Sequence, residues 1–93
     1  MSEKVAFKAI VKGVVQGVFY RAFSQEEATA RGITGYARNL WDGSVEVVAE
    51  GEKGILLDFL KALHRGPPSA HVTGVEVEWK EYSEEYIGFT IRR

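Results

Sequence analysis

Two glycines four positions apart, Gly13 and Gly17, precede Arg21 by four more. The stretch Gly13-Val14-Val15-Gln16-Gly17-Val18-Phe19-Tyr20-Arg21 leaves an apolar strand-like run, Val5 to Lys12, and enters a polar, helix-compatible run near Ala22. Glycine takes backbone dihedrals closed to other residues, and a curl whose N–H groups point inward is a nest for an anion. A helix beginning just beyond it adds partial positive charge at the same place. Arginine supplies a fixed cation with a planar fork suited to a phosphate. The stretch is therefore a candidate cup for one tetrahedral anion. The backbone of Gly13, Val14, Val15, Gln16, Gly17 and Val18 would form it, with Arg21 as its cation. It lacks the Gly-Lys-Ser/Thr ending of a nucleotide-binding P-loop and is not GxGxxG. An ordinary glycine turn followed by a solvated arginine fits the same residues.

Asn39 is the second candidate. It falls in a strand-like segment between Arg38 and Leu40, and asparagine is depleted in strands. Either its amide orients a water or substrate oxygen near the cup, or it helps set up the Asp42-Gly43 turn. His64 and His71 have no serine or cysteine at recognisable spacing, and a lone histidine needs geometric partners to act as a base. The acidic residues are spread over faces expected to be solvent-exposed, and no His/Asp/Glu cluster has metal-ligand spacing. Trp41 and Trp79 are expected to be packing residues in strands.

The elements that must position these groups fit one domain, 1–93. With 45% hydrophobic and 27% charged residues the composition is that of an ordinary soluble globular protein. A net charge of −1 offers no basic excess for nucleic acid. The absence of cysteine excludes disulfides, thiolate nucleophiles and zinc–sulfur sites, and fits a reducing cytoplasm. No signal peptide or membrane span is read from the sequence.

In the first strand Val5, Phe7, Ala9 and Val11 share an apolar face. A helix follows from about Ala22 to Arg31, with a weak stripe of Ala22, Phe23, Ala28 and Ala30 and a stop at Gly32. Ser24-Gln25-Glu26-Glu27 resembles a capping box, but a helix starting there begins too late for the cup. Gly35–Trp41 and Ser44–Glu50 form two strands joined by Asp42-Gly43, read as a two-residue type I′ hairpin. In the second of them Val45, Val47 and Ala49 face inward, and Glu46 and Glu50 outward. The clearest helix has Leu56, Phe59, Leu60 and Leu63 at i, i+3, i+4 and i+7 and ends at Gly66 before Pro67-Pro68. Val75, Val77 and Trp79 share one face of the next strand. Val72 is out of phase with them, which predicts a bulge near Thr73-Gly74. Ile87, Phe89 and Ile91 form a short final strand after the polar Glu81–Tyr86 connection. The order β-α-β-β-α-β predicts an α+β, ferredoxin-like split βαβ sandwich. Both helices lie on one face of an antiparallel sheet, with the extra C-terminal strand unplaced.

The Gly13–Arg21 stretch resembles the first signature of the acylphosphatase family. Gly35-Tyr36-Ala37-Arg38-Asn39-Leu40-Trp41-Asp42-Gly43-Ser44-Val45, with Gly51 six residues on, resembles the second. The resemblance implies a ferredoxin-like enzyme that hydrolyses carboxyl phosphates such as acetyl phosphate. It implies that Arg21 and the loop amides bind the phosphoryl group, that Asn39 positions the attacking water, and that no metal or cofactor takes part. Inorganic phosphate is then product and inhibitor; nucleic acid and membrane are not partners, and a cytoplasmic monomer is expected. Two positions depart from the family pattern. Tyr20 stands where phenylalanine is common and needs a hydrogen-bond partner if buried. Val14 stands where a basic residue is frequent, which leaves the cup one side-chain cation. The competing reading is a non-enzymatic ferredoxin-like module that binds a small anion. An RNA-binding sheet is disfavoured by the alternating Glu76 and Glu78.

Overall fold

The structure is a computed structural model that describes residues 3–93. Its elements are β1 (Lys4–Val14), α1 (Tyr20–Ala30), β2 (Thr34–Asn39), β3 (Val45–Glu52), α2 (Lys53–Arg65), β4 (His71–Glu81) and β5 (Phe89–Arg92). The sheet order is β4-β1-β3-β2-β5. β1 is antiparallel to both β3 and β4, and β3 is antiparallel to β2. This is the expected βαββαβ arrangement. The sheet is mixed rather than wholly antiparallel, because β5 adds to β2 in parallel.

Alternation in β1 places Phe7, Ala9 and Val11, all fully buried, opposite Ala49, Val47 and Val45 of the central strand β3. α2 lays Leu56, Phe59 and Leu63 on that face, each fully buried. The Phe59 ring lies 6.2 Å from Phe7 and 6.0 Å from Phe89, so one helix residue ties β1 to β5. Burying each such aromatic contributes roughly 2–3 kcal/mol. Gly66, at φ 67°, ends the helix by donating its N–H to the Ala62 carbonyl at 2.9 Å.

α1 begins at Tyr20, two residues before the expected start, and Ser24 is no cap. Its hydroxyl donates to the Tyr20 carbonyl from the buried face of the helix. That face is Tyr20, Ser24 and Ala28, whereas Ala22 and Ala30 are exposed. The insertion of Tyr20 into the core sets the phase, and small residues behind it allow close approach.

Glu46 and Glu50 point away from the helices as expected, yet they are only 7% and 2% exposed. β3 is the middle strand, and its outer face is covered. Glu46 accepts from the Tyr36 hydroxyl at 2.9 Å and pairs with Arg38 at 3.0 Å. Glu50 accepts from the backbone N–H and hydroxyl of Ser83, in the segment that crosses from β4 to β5.

The hairpin exists but is not type I′, since Trp41 and Asp42 do not have positive φ. Gly43 donates to the Leu40 carbonyl at 3.1 Å and Leu40 to the Ser44 carbonyl at 2.9 Å, which leaves a three-residue loop with Gly43 at φ 98°. The Asp42 carboxylate, accepting from the N–H and hydroxyl of Ser44, favours this form. β2 therefore ends at Asn39, and Trp41 is a fully exposed turn residue rather than a packing one. Trp79 does pack, edge-on to Phe7 at 5.6 Å. The bulge falls where expected: Lys12 pairs with Gly74 and Gly13 with Val72, leaving Thr73 as the extra residue. Ile87, expected in the last strand, lies outside it and is 96% exposed, because Gly88 at φ 68° turns the chain before pairing begins at Phe89.

One consequence positions the site. β1 and β2 are both antiparallel to β3, hence parallel to each other, and β5 is parallel to β2. The C-terminal ends of all three strands meet at one edge of the sheet, beside the start of α1.

Candidate active site

At that edge the chain leaves β1 and curls through Val15 to Phe19 before α1. Gly13 and Val14 still belong to β1, where Val14 pairs with His71 and is half-exposed. A Cβ on Gly13 would overlap the His71 carbonyl, so close approach as well as φ 125° demands glycine there. Gly17 has open space around it and is required only by φ 73°. Phe19 is the surprise. It is a bulky residue at φ 63° immediately before the helix and is 80% exposed. That conformation costs on the order of 1–2 kcal/mol and concentrates at functional sites.

The walls of the curl hold it from both sides. Val15 is buried in the core, and the Val18 carbonyl accepts from the Ser69 hydroxyl at 3.1 Å. The Gln16 side chain turns outward to the β2–β3 hairpin, where its Nε2 lies 2.6 Å from the Leu40 carbonyl and 2.8 Å from that of Ser44. Among the described residues, the N–H groups of Gln16, Gly17, Val18 and Phe19 donate to no backbone carbonyl.

Arg21 lies in the first turn of α1. Its Nη1 donates to the Arg92 carbonyl at the end of β5, at 2.9 Å, which leaves the rest of its fork available. Among the described residues no carboxylate pairs with it. Asn39 is the last residue of β2, in register with Val45 on the core side, whereas neighbouring Arg38 points to the opposite face and Glu46. Asn39 Oδ1 is one of three buried side-chain polar atoms without a partner among the described residues. The other two, Arg38 Nε and Glu50 Oε1, belong to the outer face of the sheet. Such orphans are rare in folded proteins and call for an explanation.

Curl, arginine and asparagine meet in one cleft of about 270 Å³, whose walls include Val15, Gly17, Phe19, Arg21, Asn39 and Ile91. Phe19 and Ile91 were not singled out from the sequence. The unusual φ of Phe19 leaves no sequence signal, and Ile91 arrives through β5, whose pairing is non-local. Behind the cleft Tyr20 is buried and donates its hydroxyl to the Leu63 carbonyl of α2 at 2.7 Å. Burial pushes its phenol well above the ordinary tyrosine range, so it remains a donor. The phenol that departs from the family pattern thus pins α1 to α2. His64 and His71 are exposed and do not line this cleft. A larger groove of about 620 Å³ lies at the other end of β1, between Lys4, Lys53, Trp79 and Tyr82, and contains none of the predicted site residues. It is broad and open, so the smaller cleft with convergent polar groups is the better candidate.

The acylphosphatase family model matches residues 7–91. An acylphosphatase of Dehalococcoides mccartyi is 52% identical over 86 residues, covering 91% of this chain and 94% of that one. One from Thermus thermophilus is 59% identical over 73 residues, covering 78% and 83% respectively. The crystal structure of acylphosphatase from Bacillus subtilis superposes with a TM-score of 0.92 at 37% identity, covering 96% of this chain and 99% of that one. Among the described residues no helix is long and apolar enough to cross a membrane.

Proposed function

The chain belongs to the acylphosphatase family and hydrolyses acyl phosphates, and from that premise we propose how its cleft does so. The phosphoryl group sits in the Val15–Phe19 curl. It receives the free N–H groups, the positive end of α1 and the open side of the Arg21 fork. Asn39 Oδ1 accepts a hydrogen bond from the attacking water and aims its lone pair at phosphorus. Water adds to phosphorus as the bond to the acyl oxygen breaks. The acyl group leaves as a carboxylate, and a phosphate oxygen of the substrate takes the water's proton. A carboxylate is a good leaving group, so positioning and charge stabilisation suffice, as is usual in phosphoryl transfer.

The observation that carries this reading is the buried, unpartnered Asn39 Oδ1 in the same cleft as Arg21 and the curl. The donor set is amide N–H and guanidinium, which suits an anion rather than a cation, so we assign the reaction no metal and no cofactor. Inorganic phosphate, the product, occupies the same donors and inhibits competitively. We assign residues 1–93 to one domain and take a monomer as the working unit, since the described residues of a single chain line the whole cleft. The cysteine-free composition fits the cytoplasm.

Phosphate release from acetyl phosphate in the presence of a chelator tests the reading. Sustained turnover with competitive inhibition by phosphate is expected. Phosphate binding without turnover would favour the anion-binding module instead. Turnover lost to the chelator and restored by a divalent ion would overturn the metal-free mechanism.

A further inference from the structure

We propose that the Gln16 side chain is a positioning residue that locks the anion-binding curl to the β2–β3 hairpin and so sets the distance from the phosphoryl group to Asn39. The inference rests on the reading above. β1, which carries the curl, and β2, which carries Asn39, are not neighbours, because β3 lies between them. No ladder hydrogen bond joins the two strands. Gln16 supplies a direct tie across that gap. Its Nε2 donates to the carbonyls of Leu40 at 2.6 Å and Ser44 at 2.8 Å, which are 24 and 28 residues away in sequence. Leu40 is covalently next to Asn39.

The chemistry of the contact is specific. A primary amide nitrogen has two protons, and both are used. The flipped amide would set Oε1 against two carbonyl oxygens, so the orientation is fixed by its partners. Those carbonyls are also the ones that close the hairpin, since Leu40 O accepts from Gly43 N and Ser44 O from Leu40 N. Asp42 stiffens the same turn through the N–H and hydroxyl of Ser44. Gln16 therefore grips the rigid part of the hairpin, and its own backbone is part of the curl. Movement of the curl relative to Asn39 has to break this contact. The phosphate donors themselves, the curl N–H groups and Arg21, do not depend on it.

Gln16→Met keeps length and volume but removes both donors. It is expected to lower kcat about 10- to 100-fold, the scale of a small misplacement of reacting groups. The inhibition constant for inorganic phosphate should stay within about threefold, because the phosphate donors remain in place. In an Asn39→Ala background the same substitution should change kcat less than about threefold, since no oriented water is left to misplace. Gln16→Glu gives an independent readout. As a carboxylate it faces two carbonyls, and when protonated it regains one donor, so its kcat relative to wild type should rise as pH falls. Equal kcat losses from Gln16→Met in both backgrounds would overturn the proposal. So would a normal kcat with a lowered denaturant midpoint, which would make the contact only structural. A wild-type kcat in Asn39→Ala alone would instead strike the water-orienting reading, and this inference with it.

Discussion

The two helices lie on the same face of the sheet and are built differently. α2 buries Leu56, Phe59 and Leu63 completely and ends on a glycine cap. α1 buries Tyr20, Ser24 and Ala28, and it starts from Phe19 in the left-handed region at φ 63°, whereas α2 starts from an extended Glu52. α2 gathers packing energy along its length. α1 contributes less packing, begins under strain, and opens its first turn onto the cleft with Arg21. The C-terminal end of α1 is tied to α2 by Arg31, just past the helix, which meets Glu27 of α1 at 2.9 Å and Asp58 near the middle of α2 at 2.8 Å. Packing is thus concentrated in one helix, and the proposed phosphate site lies at the strained start of the other.

Substitutions can break that division. Phe59→Ala should cost about 3–5 kcal/mol of stability, because it empties the centre of the core. The kcat of the folded fraction should be little changed; a parallel fall in kcat at low temperature would mean that the helices do not divide the work. Arg21→Gln should do the reverse. We expect a loss of roughly 3–4 kcal/mol in kcat/KM, with weaker phosphate inhibition, as for removal of a preorganised charge stabiliser. Its denaturant midpoint should move little, since its one hydrogen-bond partner among the described residues is the exposed Arg92 carbonyl. A near wild-type kcat/KM in the folded variant would move the phosphate site elsewhere.

Smaller effects sharpen the same contrast. Phe19→Gly should raise stability by about 0.5–1 kcal/mol, because glycine adopts φ 63° freely and the exposed ring gives up little packing. A loss of stability would show that the ring contributes more than its exposure indicates. The smallest effect belongs to Asp42, whose carboxyl is held below the usual carboxylate range by the Ser44 hydroxyl and N–H. A depressed folded pKa means that its contribution is present above the ordinary aspartate value and lost as pH falls through the folded one. The stability difference between wild type and Asp42→Ala should therefore shrink as pH falls below the ordinary aspartate range. A constant difference would detach the hairpin from that carboxylate.

Local chemistry explains what was legible in the sequence. The period of α2, the Gly66 stop, the alternation in β1 and the phase slip at Val72 are each set within a few residues, and each appears in the structure as expected. The hairpin was legible but its class was not, because a contact from Ser44 to Asp42 selects the three-residue loop over the one that Asp-Gly suggests. Burial of Glu46 and Glu50 depends on Tyr36 and on the crossing segment that carries Ser83. The parallel pairing of β5 likewise depends on where the chain returns. The same boundary runs through the site. Gly17, Arg21 and Asn39 stand out by residue type, whereas the roles of Phe19, Ile91 and the Gln16 amide appear only when distant segments are placed side by side.

In the mechanism proposed above, Asn39 orients the water and does little else. Kinetics of Asn39→Ala, with phosphate inhibition and a denaturant midpoint measured on the same sample, test it most directly. A fall in kcat of about 10²–10³-fold is expected, with KM and phosphate inhibition nearly unchanged. A destabilised variant with intact kcat would contradict it and reduce Asn39 to a support for the hairpin.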